Sequence, residues 1–111
     1  NEGIPIFIIK ELQKKFDLRK KTVGVLGLTF KAETDDIRDS LSIKLVKLLE
    51  LKKIKTLQSD EFYKNKKNIS KNDLVKKSDI IILATPHKAY KRLKIKKNKT
   101  VVDIWGLIEN K

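Results

Sequence analysis

Val23-Gly24-Val25-Leu26-Gly27-Leu28-Thr29-Phe30-Lys31-Ala32-Glu33-Thr34-Asp35-Asp36-Ile37-Arg38-Asp39-Ser40 is the stretch that decides how this chain reads. Residues 22–27 are short, apolar and β-branched, which predicts a buried strand. The strand breaks at Gly27 into a polar loop, and Ser40 is placed to cap a helix with the apolar face Leu41, Leu45, Val46, Leu48 and Leu49. Strand-to-helix junctions of this kind are where α/β proteins build nucleotide sites. The loop carries one Lys and one Arg, Lys31 and Arg38, among the acids Glu33, Asp35, Asp36 and Asp39. A Lys offers anionic oxygens a point charge and an Arg offers a planar fork, so both cations are candidates for ligand contact. Their competing role is local pairing with those four acids to hold the loop, and the residues alone do not choose between the two. Asp36 fits both, bracing Arg38 while a ligand takes the other side of the guanidinium. Asp39 and Ser40, at the helix start, read as capping residues.

Working outward, the remaining segments repeat the alternation. Apolar positions Ile4, Phe7 or Ile8, Leu12 and Phe16 predict a helix over 4–18, with Pro5 in its first turn. Ile54–Leu57 reads as a second strand, and 72–77 as one or two helical turns after a Lys- and Asn-rich loop. Asp79-Ile80-Ile81-Ile82-Leu83-Ala84 is a continuous apolar run, the pattern of a strand buried on both faces of a parallel sheet. A short helix around 88–93 and a fourth strand at Thr100–Ile104 complete the series. Strand–helix alternation with right-handed crossovers implies an α/β fold: a small Rossmann-like three-layer domain with a mainly parallel sheet, preceded by an N-terminal helix. We divide the chain into a helical lead-in, 1–20, and the sheet domain, 21–111. Ligands of such sheets bind beyond the C-terminal strand ends. That rim would gather 28–40, Thr85–His87 and Trp105–Gly106, with Asp60–Phe62 nearby.

The composition narrows the function. A chain of 111 residues supports one core, burying roughly two-thirds of its extended surface. No apolar run approaches the ~20 residues of a membrane span, and residues 4–9 lack the flanks of a signal peptide. The expected compartment is the cytoplasm. With no Cys and a single His, the chain has neither a thiolate nucleophile nor a multi-histidine or Cys-ligated metal site. The net charge of +13 invites a nucleic-acid reading, but Lys outnumbers Arg 24 to 3. We read the excess as a solvated surface, with no specific nucleic-acid partner and no membrane partner. His87 reads as a surface or loop-bracing residue, since no base–substrate partner is nominated. Asp79 reads as a bracket for its strand. Asp103 is within reach of the rim, and packing is the default for Trp105.

The first turn is not a dinucleotide fingerprint. Gly24 and Gly27 are three apart, no third glycine opens the helix, and the loop is too long. Asp60, a few residues past the second strand, is not an obvious ribose acceptor. Self-sufficient dinucleotide binding is therefore the weaker reading.

Residues 24–40 closely resemble the start of the C-terminal domain of the UDP-glucose/GDP-mannose dehydrogenase family, whose pattern there is G-L-x-F-K-x-x-T-D-D-x-R-x-S. The resemblance extends along the chain: Asn1–Pro5 is similar to the family's Asn-x-x-Met-Pro segment, with Ile4 in place of Met. Residues 79–87 are similar to its Asp–apolar–Thr-x-His stretch, and Val101-Val102-Asp103 to its last strand. The resemblance implies part of an enzyme of polysaccharide biosynthesis that oxidises the C6 hydroxymethyl of a nucleotide sugar to a carboxylate. It uses two NAD and a Cys held by an N-terminal NAD-binding domain. By position, Phe30 and Lys31 would contact the UDP-sugar and Arg38 would reach toward NAD, with Asp36 and Ser40 supporting the loop. Trp105 stands where UDP-glucose-oxidising members often carry an Arg, which implies a divergent sugar preference. Because the chain has no Cys, no catalytic residue is expected here. It reads as an excised, separately inactive domain of a homo-oligomeric parent. The alternatives are a non-catalytic nucleotide-binding or assembly module of the same fold and, from composition alone, a basic nucleic-acid binder.

Overall fold

The computed structural model describes residues 3–38 and 40–109, the last three by backbone alone. Asn1 and the proposed helix-start residue Asp39 lie outside the described residues. The elements run α1 (Gly3–Gln13), β1 (Thr22–Leu26), α2 (Leu41–Leu51), β2 (Lys55–Ser59), α3 (Lys71–Lys77), β3 (Ile80–Leu83), β4 (Thr100–Asp103) and α4 (Ile104–Glu109). Single 3-10 turns lie at Leu18–Lys20 and Lys88–Arg92.

The four strands form one all-parallel sheet in the order β2-β1-β3-β4. Side chains alternate across it with period two, so β1 and β3 each supply both faces. Val23, Val25, Ile80 and Ile82 point to one side, against Ile8, Ile9 and Leu12 of α1 and Leu45, Val46 and Leu49 of α2. Leu26 and Ile81 point to the other, against Leu74 and Val75 of α3 and the Tyr90 ring. Each such aliphatic side chain, once buried, contributes about 1.5–3 kcal/mol relative to exposure. Burial on both faces is why β1 and β3 read as unbroken apolar runs while the edge strand β2 is Lys-Thr-Leu-Gln-Ser. The helix α1 shares its core with the sheet.

The chain leaves β1, forms α2 over one face and returns as β2. It then crosses beneath through α3 to β3 on the far side of β1. The C-terminal ends of β1 and β3 are therefore the point where strand order reverses, and the loop 28–40 emerges there. Gly27 makes the exit possible. Its φ is +96°, and a Cβ on it would run into the Thr85 side chain and lie 2.5 Å from the Thr85 nitrogen.

Three sequence expectations need correction. The first helix stops at Gln13, and the chain turns back through Phe16, whose N–H donates to Leu12 O at 2.9 Å. Phe16 still packs against the core, so its apolar spacing was real but belonged to a turn. The second strand is shifted to 55–59. Lys53 takes a left-handed φ of 65°, which drops Ile54 into the core before pairing begins. The last strand ends at Asp103, whose Oδ1 accepts the Trp105 N–H at 3.0 Å as α4 starts, where the sequence predicted only a rim segment.

Candidate functional site

The loop after β1 is fixed by its neighbours on both sides. Leu28 N–H donates to Asp60 Oδ2 at 2.6 Å, and Leu28 O accepts the Ser40 hydroxyl at 2.6 Å. Thr29 O accepts the Thr85 hydroxyl at 2.9 Å. Phe30 N–H donates to Asp36 O at 2.6 Å and closes the loop on itself. Ser40 also accepts the Ile43 N–H at 3.4 Å, so one side chain both caps α2 and ties it to the loop's first residue.

His87 is the buried centre of this arrangement. Its Nδ1 accepts the Glu33 N–H at 2.9 Å, and its Nε2 lies 3.0 Å from Asp60 Oδ2 and 3.3 Å from the Thr29 hydroxyl oxygen. An Nδ1 lone pair and an Nε2–H satisfy these three hydrogen-bond partners, and the Glu33 carboxylate lies 3.4 Å from Nδ1. Thr29 then accepts from the ring and donates to Lys31 O at 3.0 Å. The ring lies between Phe62, with centroids 4.8 Å apart, and Tyr90, at 5.4 Å. Glu33 takes a left-handed φ of 59° to present its N–H, and its carboxylate accepts the Lys88 N–H at 3.2 Å. His87 thus braces the loop and is not a surface residue.

Asp60 gathers four donors: the backbone N–H groups of Leu28, Phe62 and Tyr63, and the His87 ring. Burial opposes its ionisation, but the three N–H groups and the ring outweigh that and hold its carboxyl below the ordinary 3.8. With those partners engaged, Asp60 works inside the fold and not as a ribose acceptor. The Tyr90 hydroxyl is pushed well above its ordinary value by burial, reinforced by the charges of Asp60 and Glu61.

Of the residues singled out from sequence, Phe30, Lys31, Asp36 and Arg38 lie on the outer part of this loop. Phe30 is 54% exposed and, with Thr29, Leu41, Ser42, Lys44, Ala84, Ile4 and Trp105, lines a pocket of about 170 Å³. Lys31 is exposed next to it, and among the described residues no carboxylate stands within ion-pair distance of its ammonium. Arg38 takes the pairing role: its Nε and Nη2 donate to Asp36 at 3.1 and 2.9 Å, and its backbone N–H also donates to Asp36. The Arg38 guanidinium, followed by its N–H, lowers the Asp36 carboxyl to about 2, with a smaller contribution from the Lys31 charge. Asp35 is exposed. Trp105 packs at the rim, its indole N–H donating to Ala84 O at 3.0 Å. Asp79 brackets β1, accepting the Thr22 N–H at 2.8 Å.

Sequence reasoning placed Asp60 and His87 near the rim but did not join them. The usable signal was sheet order. Residues just past the two strands flanking β1 must both face the loop that leaves β1.

Residues 24–110 match the model of the UDP-glucose/GDP-mannose dehydrogenase family, UDP binding domain. The chain is 34% identical over 111 residues to UDP-glucose 6-dehydrogenase of Rickettsia felis, covering 85% of this chain and 25% of that protein. It is 27% identical over 120 residues to UDP-N-acetyl-D-mannosamine dehydrogenase of Pyrococcus horikoshii, covering 98% of this chain and 28% of that protein. In structure it is similar to a UDP-glucose dehydrogenase from Pyrobaculum islandicum, with a TM-score of 0.77 and 27% identity over 93% of this chain and 26% of the other. The chain spans about a quarter of the length of the relatives it matches. A glycine-turned β1 exit, a Phe-Lys pair displayed on a pinned loop and an Asp-Arg pair closing it sit within the matched residues. The chain belongs to the UDP-glucose/GDP-mannose dehydrogenase family, as its UDP binding domain.

Proposed function

We propose that this chain is the nucleotide-holding half of the active-site cleft of an NAD-dependent UDP-sugar 6-dehydrogenase. The observation that carries this reading is the loop 28–38, fixed from beneath by Asp60, His87, Thr85 and Ser40 and presenting Phe30 and Lys31 outward at the strand-order reversal. A nucleoside diphosphate needs an aromatic or apolar face for its base and a cation for its phosphates. The exposed Phe30 ring and the Lys31 ammonium offer both side by side. Arg38 is exposed and oriented by Asp36, and we assign it to the cofactor side of the cleft. NAD, bound mainly by an N-terminal domain, would accept the hydride there. This chain's own part is to hold the nucleotide and close the cleft.

The division into a lead-in, 1–20, and a nucleotide-sugar domain, 21–111, belongs to the same proposal, with a homo-oligomeric cytoplasmic parent serving polysaccharide synthesis. Because the chain contains no Cys, thiol chemistry at the sugar C6 is assigned to the missing domain. Incubating the purified chain with UDP-glucose and NAD tests this division of labour: no NADH should form. Steady NADH formation by the pure chain would overturn it.

A further inference from the structure

The net charge of this chain is concentrated in one stretch of the sequence, most of which covers the sheet face opposite α1 and α2. Residues 64–99 hold 13 of the 27 Lys and Arg but only two of the 14 Asp and Glu, so they carry eleven of the thirteen net positive charges. The remaining 75 residues are close to neutral. In the fold, the apolar side chains of this segment, among them Leu74, Val75, Tyr90, Leu93 and Ile95, pack onto the sheet face opposite α1 and α2. The cations between them are therefore turned outward. Along the stretch 93–96 the alternation is strict: Leu93 and Ile95 turn in while Lys94 and Lys96 are exposed.

The cation-bearing segments are held side by side. The Lys99 ammonium donates to both Lys76 O and Ser78 O at 2.8 Å, fastening the end of this stretch to the C-terminus of α3. The C-terminal end of α3, with Lys76 and Lys77, is thereby held against Lys99 at the end of this stretch. Asp73 and Asp79 offset part of this charge, and from outside the segment Glu61 pairs with Lys71 at 3.2 Å and Glu50 with Lys67 at 3.7 Å, which leaves the lysines of α3 and of 88–97 as the main excess.

We propose that this face is a docking surface for an anionic lipid bilayer. Three features favour a bilayer over nucleic acid. The charges are Lys with one Arg, suiting point-charge attraction to headgroups and not bidentate base readout. No large hydrophobic or aromatic side chain is exposed among residues 64–99, so bases have no stacking platform. The α3 helix, at seven residues, is too short to fill a major groove. Among the described residues no helix is long and apolar enough to cross a membrane. The association is therefore peripheral and electrostatic, and the rim that carries Phe30 stays open. On this proposal the Lys excess, read from composition as a solvated surface with no membrane partner, has a direction.

The test is co-sedimentation of the 111-residue chain with vesicles of phosphatidylcholine alone or with about 30% phosphatidylglycerol, at about 50 mM and about 500 mM salt. The chain should pellet only with phosphatidylglycerol vesicles at low salt. The triple variant Lys91→Gln/Lys94→Gln/Lys96→Gln should reduce partitioning at least about tenfold. Lys15→Gln/Lys47→Gln/Lys52→Gln, with the same charge change on the opposite face, should stay within about twofold. Equal loss in both variants, or no pelleting with phosphatidylglycerol, overturns the proposal. So does a short RNA that removes the chain from vesicles and stays bound at the higher salt. Circular dichroism of both variants confirms that the fold is kept. A triple variant that failed to fold would be replaced by Lys94→Gln/Lys97→Gln, for which the same outcomes decide.

Discussion

His87 and Asp60, 27 residues apart in sequence, meet at 3.0 Å with both side chains fully enclosed, and together they seat the loop that defines the site. Removing the ring leaves a cavity between Phe62 and Tyr90 and strips partners from Asp60 and the Glu33 N–H. His87→Ala should cost about 2–4 kcal/mol in urea unfolding. Combined with Asp60→Asn, the loss should be clearly less than additive. Strict additivity would mean the two side chains do not act as a unit.

Acid should release the same anchor. The Asp60 carboxyl lies below its ordinary 3.8 in the fold, so its contribution is complete above that value and is lost as pH falls through the folded one. Stability of the native chain should therefore fall as pH drops below about 4, and Asp60→Asn should be less stable at neutral pH with a flatter acid profile. A profile unchanged by Asp60→Asn would refute the assignment.

Backbone geometry makes Gly27 the least replaceable loop position. Its left-handed φ and the Thr85 contact leave no room for a methyl group, so Gly27→Ala should destabilise by about 3 kcal/mol or more. Gly3→Ala, where a Cβ meets nothing within 4 Å, serves as the control and should be neutral or slightly stabilising in thermal melts.

Ser40 and Asp36 separate a structural from a presentational role within one loop. Ser40→Ala loses the α2 cap and the Leu28 tie and should cost about 1–2 kcal/mol. Asp36→Asn removes a solvent-exposed ion pair and should change the melting temperature little, while Arg38 amide and side-chain resonances move.

The elements legible in sequence were those whose own residues carry the signal. The double-faced runs of β1 and β3, the Ser40 cap and the apolar face of α2 all follow from local pattern. The loop motif was long enough to carry the family. What escaped depends on contacts distant in sequence. The spacing of Phe16 imitates another helical turn, although the chain folds back there. Lys53 in a left-handed conformation shifts β2, a backbone choice no local residue type demanded. Asp60 and His87 were each visible near the rim. Their bond requires knowing that β2 and β3 flank β1, which is a property of the sheet and not of either segment. The residues alone left Lys31 and Arg38 open between ligand contact and local pairing, and in the structure Arg38 is held by Asp36 while Lys31 is displayed.

The central claim is that the loop 28–38 is a nucleotide diphosphate site. Titrating the chain with UDP while following backbone amide shifts tests it most directly. The account predicts saturable shifts centred on residues 28–38 and Lys44, with Lys31→Ala weakening UDP at least about fivefold while leaving the fold intact. Shifts centred elsewhere, an affinity unmoved by Lys31→Ala, or no saturable response up to about 10 mM UDP would contradict it.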